Sequence, residues 1–143
     1  MREYDIPPNF LKDLQHGEQG EQIIRDFLND ANSGSIEIKT DRYRNGRIAV
    51  ETDQNPRHEG WKKSGINITT AKWWVYQYHL DGAFIMIKTE RLKRYLRAHP
   101  ERFNEKTKQN FAPKSDNPAK GFLLEQHEVL DMMLNPQYDE NKP

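Results

Sequence analysis

The sequence predicts an α/β (α+β) fold, a mixed β-sheet with flanking helices on at least one face. Three observations predict it. Residues 17–31 carry an apolar stripe at helical spacing. Residues 36–41 and 48–53 alternate apolar and polar side chains with a period of two. Residues 73–78 and 83–88 are rich in β-formers and lead into a basic helical stretch over 89–98. The order is helix, hairpin, loop, hairpin, helix, with a short last strand at 122–124.

Each element has a local cause. Ile23, Ile24, Phe27 and Leu28 form the stripe of the first helix, and Asn32-Ser33-Gly34 ends it. In the next stretch Ile36, Ile38 and Thr40 alternate with Glu37, Lys39 and Asp41; after it, Ile48, Val50 and Thr52 alternate with Ala49, Glu51 and Asp53. Asn45-Gly46 marks the intervening turn. A two-residue turn would put Ile48 and Val50 on the face of Lys39 and Asp41, against the apolar pattern. A three-residue loop over 45–47, with Gly46 left-handed, places Asp41 opposite Glu51 and Lys39 opposite Asp53. Residues 54–68 read as loop. Asp81-Gly82 turns the second hairpin, Thr89 is a candidate N-cap, 104–120 is a polar loop, and a weak helix runs to Asn135 before a polar tail over 136–143.

Composition narrows the class. The 143 residues fit one domain, expected over 1–135, and 34% hydrophobic content implies a small core helped by aromatics. Without cysteine there is no disulfide, thiolate zinc site or thiol nucleophile. No apolar run approaches a spanning helix and no signal-peptide pattern opens the chain, so a soluble, cytoplasmic protein without membrane association is expected. Net charge is zero but unevenly spread: residues 39–72 hold eight Lys/Arg against four Asp/Glu, and residues 88–108 hold eight against three. Such segregation builds a basic face on a neutral protein.

The expected hairpin gathers Asp41, Glu51 and Asp53 on one face with Lys39. Crowded carboxylates repel one another unless a cation sits among them, and Mg²⁺ suits oxygen ligands that leave room for a phosphate. The same pattern is also compatible with a solvated, mixed-charge hairpin. An acid, nine residues, then Glu-x-acid on the next strand resembles the active-site hairpin of the PD-(D/E)XK nuclease superfamily. The stretches "GEQGEQIIRDFL" and "SGINITTAKWWVYQYHLDGAFIMIKTERLKRYL" are similar to phage and bacterial members, and the resemblance covers about residues 17–98.

The resemblance implies a restriction-endonuclease-like core and a DNA endonuclease, with branched (junction) DNA as a plausible substrate. It implies Mg²⁺ or Mn²⁺ on Asp41 and Glu51, with Asp53 positioning metal or water and no small-molecule cofactor. Glu21, or next Glu18, would add a helix acid. Asp53 stands where the family places a lysine; Lys39 or Lys72 is expected to supply that charge. A second assignment reads Glu37-Ile38-Lys39 as the motif, with Asp26 or Asp30 upstream. Double-strand cleavage by so small a chain implies a homodimer.

Phosphate contacts are expected from Lys62, Lys63, Ser64, Thr69, Arg91, Lys93, Arg94 and Arg97; Thr69 or Thr70 could equally cap a turn. The five histidines show no paired zinc spacing, and His58 is either a loop residue near the phosphate or an ordinary surface histidine. Trp73 and Trp74 could stack on bases, although adjacent strand residues face opposite ways and at least one belongs to the core. A catalytically inactive binding module with the same fold, and an interaction protein with a charged hairpin, are the other function classes.

Overall fold

The computed structural model describes residues 9–41 and 43–140. They fall into two compact units that divide after Ser35. The first is helix α1 (Phe10–Asn32), which begins about two turns before residue 17, the start of the expected helix. It stops where Asn32-Ser33-Gly34 predicts. Gly34 takes φ +81°, its N–H donates to Ala31 O at 3.1 Å, and Ser33 Oγ donates to Asp30 O at 2.9 Å. Phe27 is buried, whereas Ile23, Ile24 and Leu28 are about half exposed.

The second unit holds strands β1 (Ile36–Thr40), β2 (Ile48–Gln54), β3 (Lys62–Lys63), β4 (Trp73–Gln77), β5 (Phe84–Lys88), β6 (Gln109–Phe111) and β7 (Ala119–Leu124), with helices α2 (Thr89–Ala98) and α3 (Gln126–Leu134). One sheet has the order β1-β4-β5, with β1 parallel to β4; the other is antiparallel, β3-β2-β7-β6. The fold is therefore mixed α and β. The β4–β5 hairpin forms as expected around Asp81-Gly82, with Tyr78 N–H donating to Ala83 O at 2.8 Å and Gly82 at φ +107°.

The first expected hairpin does not form. β1 and β2 belong to different sheets, so Asp41 does not face Glu51 and Lys39 does not face Asp53. Gly46 is left-handed as expected, at φ +79°, and Arg47 N–H donates to Asn45 Oδ1 at 3.1 Å, but this turn carries the chain from one sheet to the other. The cause lies in what each strand needs to bury. Residues 73–76 of β4 are buried, and β4 is the central strand of its sheet, paired with β5 on one edge and with β1 on the other. Ile48 and Val50 are fully buried and meet Leu124 and Phe122 of β7, an apolar pairing that β1 cannot offer. In β1 it is Ile38 that is exposed, while Glu37 and Lys39 are partly buried.

The core joins Ile48, Val50, Trp74, Tyr76, Leu92, Tyr95, Phe122, Leu124 and Met132. The stretch expected as a free polar tail is held down as far as Glu140. Tyr138 is buried, with its hydroxyl 2.6 Å from His99 Nε2. Arg94 donates to Tyr138 O at 2.9 Å, and Arg91 donates to Met132 O, Asn135 O and Asp139. Among the described residues no helix is long and apolar enough to cross a membrane.

Candidate functional site

Asp41 follows β1, and its N–H donates to Gln77 O at 2.8 Å, so pairing with β4 carries past the strand end. Its Oδ1 accepts from Tyr43 N–H at 3.3 Å. Two phenols stand beside it. Burial pushes Tyr76 up to about 12, with the Asp41 charge and hydrogen bond adding to the effect, and burial followed by the same charge raises Tyr78. Both phenols therefore stay protonated at neutral pH. Tyr76 Oη also accepts from Ala49 N–H at 3.3 Å, which ties β4 to β2. A cleft of about 600 Å³ opens here, with Asp41, Tyr76, Ala49, Gln109, Phe111 and Leu123 in its lining.

Glu51 sits on β2 two residues beyond Ala49, opposite Gly121, which in turn pairs with Gln109 of β6. Period-two alternation puts Glu51 on the sheet face of Ala49 and Gln109, both of which line the cleft. Two glycines hold the backbone there. A Cβ at Gly65 (φ +52°) would run into the Glu51 carbonyl, and a Cβ at Gly121 would run into the Val50 carbonyl. Among the described residues nothing donates a hydrogen bond to the Glu51 carboxylate.

At Thr52 the ladder slips, a β-bulge: Glu51 pairs with Gly121 and Asp53 with the adjacent Lys120. Because neighbouring residues of β7 face opposite ways, Glu51 and Asp53 lie on opposite faces, contrary to the expectation that they flank one metal. The freed Thr52 carbonyl accepts from Ser64 N–H at 2.9 Å and from Asn67 Nδ2 at 3.0 Å. The Ser64-Gly65-Ile66 turn is thus pinned to the acidic strand. Ser64 Oγ is buried and makes no hydrogen bond among the described residues.

Asp53 is held by Lys108. Lys108 Nζ donates to Asp53 Oδ2 at 2.8 Å and also reaches Glu105, and the Thr52 hydroxyl lies 2.6 Å from the same Asp53 oxygen. The two side chains are only 7% and 15% exposed. Burial alone would raise the Asp53 pKa, but the hydrogen bonds from Lys108 and Thr52 and the charges of Lys108 and Lys120 outweigh it and hold the carboxyl below its usual range. Burial likewise opposes the charge on Lys108, and its bonds to Asp53 and Glu105 override this and raise its pKa.

The lysines expected at the acids lie elsewhere. Lys39 pairs with Glu37 on its own strand at 3.4 Å and sits 5.9 Å from the Trp74 ring. The charge of Lys72 acts on Glu140 near the C-terminus. Glu21 lies on α1, in the other unit, and pairs with Arg25 at 3.5 Å. Among the described residues no three His, Asp or Glu side chains form a metal-sized group.

Of the expected phosphate contacts, Lys62 and Lys63 are exposed on edge strand β3, and Arg97 is 65% exposed with only a 4.0 Å approach to Glu90. Arg91 and Arg94 are engaged in holding the C-terminal segment, and Lys93 pairs with Glu90 at 3.7 Å. Thr69 Oγ1 accepts from Ala71 N–H at 3.2 Å, the capping alternative. His58 Nε2 meets Ser115 O at 2.8 Å, and Trp73 and Trp74 are both buried, which removes them as base-stacking platforms. Sequence reasoning missed Lys108, Gly121, Gln109 and Phe111. They sit in or beside the stretch read as polar loop, where no periodicity marks them. Comparison with protein-family models, curated proteins and solved structures returned no match.

Proposed function

We propose that the protein is a metal-dependent DNA endonuclease in which Asp41 and Glu51 hold Mg²⁺ or Mn²⁺. One observation carries the reading. The two separate pieces of the nuclease resemblance, the Glu-x-acid strand and the Ser-Gly-Ile turn, meet at Glu51 through contacts that only glycine permits. The two acids are hard oxygen donors of the kind a divalent ion takes: Asp41 lines the cleft, and Glu51 shares the sheet face of Ala49 and Gln109, which line it too. A metal bound there would supply hydroxide near neutral pH and stabilise charge on a phosphodiester. On this reading Asp53 is a structural anion, Lys62, Lys63 and Arg97 meet backbone phosphates, and a homodimer is needed for double-strand cuts. Junction DNA is included as a substrate.

The test is cleavage of supercoiled plasmid and a four-way junction with Mg²⁺, Mn²⁺ or EDTA, beside Asp41→Asn and Glu51→Gln. Metal-dependent cutting reduced about 100-fold or more in each variant is expected. Cutting that survives both substitutions rejects these ligands. A DNA-binding module without chemistry is the second reading, favoured by the prior neutralisation of Asp53 by Lys108; DNA binding with no cutting under either metal would select it.

A further inference from the structure

We infer that the cleft beside Asp41 accepts one unpaired nucleobase of the DNA substrate. Its volume of about 600 Å³ lies within the range of sites that bury a small planar ligand. Three aromatic rings line it, those of Tyr76, Tyr43 and Phe111. Tyr43 is 77% exposed and Phe111 is partly exposed, and among the described residues neither packs on another ring. A base has the flat face such rings take up, whatever its identity.

Beside the rings stands the amide of Gln109, exposed and with no side-chain hydrogen bond among the described residues. It offers a donor and an acceptor side by side, the complement of a base edge. Arg47, the one cation among the described lining residues, is held by Glu125 at 2.9 Å, so apart from the Asp41 carboxylate the lining offers neutral recognition groups and no unpaired side-chain cation for a free nucleotide's phosphate. That separates a base presented by a strand from a free nucleotide. In a duplex the base faces are stacked and the pairing edges occupied, so only an unstacked, unpaired base can enter.

The inference rests on the nucleic-acid part of the proposed function and not on its chemistry, so binding is measured in EDTA. Fluorescence anisotropy would compare a perfect duplex with the same duplex carrying one extrahelical nucleotide, for the wild type, Phe111→Ala and Tyr43→Ala. The extrahelical duplex is expected to bind about tenfold tighter, and each variant to lose most of that preference while keeping its affinity for the perfect duplex. Tyr43 is exposed, so its substitution separates recognition from folding. Equal affinity for the two duplexes, or a preference untouched in both variants, overturns the inference and leaves the nuclease reading standing. A preference retained by a protein that cuts nothing overturns the catalytic reading alone, and failure to bind either duplex overturns both.

Discussion

Asp41 and Asp53 are two carboxylates in similar sequence settings with opposite surroundings. Asp53 sits against a buried lysine, accepts from Thr52, and is compensated within the fold. Asp41 lies at a cleft beside two protonated phenols, with neutral groups and Arg47, itself held by Glu125, around the lining. The difference teaches which acids to discount. An acid whose charge is met by a buried cation adds to the architecture, and Asp41, on the lining of a cleft, is the one the proposed function draws on. The same contrast divides α2, where Arg91 clamps the C-terminal segment and Arg97 stands open.

The strongest way to break the comparison is Lys108→Met. Leaving Asp53 buried without its partner should cost about 3–5 kcal/mol in urea unfolding, and adding Asp53→Leu should recover most of it. The pair also sets a pH signature. The Asp53 pKa lies below its ordinary 3.8, so its contribution is complete above that pH and is lost as pH falls past it toward the folded value. The Lys108 pKa lies above 10.5, so its contribution is complete below that pH and is lost as pH rises past it. Stability curves of Lys108→Met should be flatter at both ends; unchanged curves would mean that the pair is not what holds this region.

Next comes activity. Asp41→Asn should lower cleavage about 100-fold, whereas Asp53→Asn should leave turnover of the folded fraction nearly unchanged while lowering stability. A large turnover loss in folded Asp53→Asn would erase the distinction between the two acids. Gly65→Ala tests the contact that holds Glu51: a left-handed backbone against the Glu51 carbonyl should cost about 1–3 kcal/mol. Gly17→Ala, in the open on α1, is the control and should gain up to about 1 kcal/mol. The smallest effect is expected from Arg97→Ala, which should reduce the salt slope of DNA binding by about 1 with stability unchanged. Arg91→Ala should instead lower the melting temperature.

Much of the local structure was legible in the chain. The α1 stop, the β4–β5 hairpin, α2 and α3 follow from apolar spacing, Gly34 and Asp81-Gly82, signals that act within a few residues. The hairpin joining β1 to β2 was misread because alternation says that a strand has two faces and does not name its neighbour.

By itself the sequence determined the types of the three helices and of β1, β2, β4 and β5, though not the strands β3 and β6 inside stretches that read as loop, together with the left-handed turn at Gly46 and the set of acids from which a site could be drawn. Only the tertiary structure decided which of them share a face. β1 pairs with β4, the central strand of one sheet, and β2 pairs with β7 in the other. The bulge at Thr52 then turns Asp53 from Glu51 toward Lys108, which comes from 55 residues further along the chain. Strand partners and bulges are settled by the apolar surface that distant segments bury together, and local spacing carries no record of it.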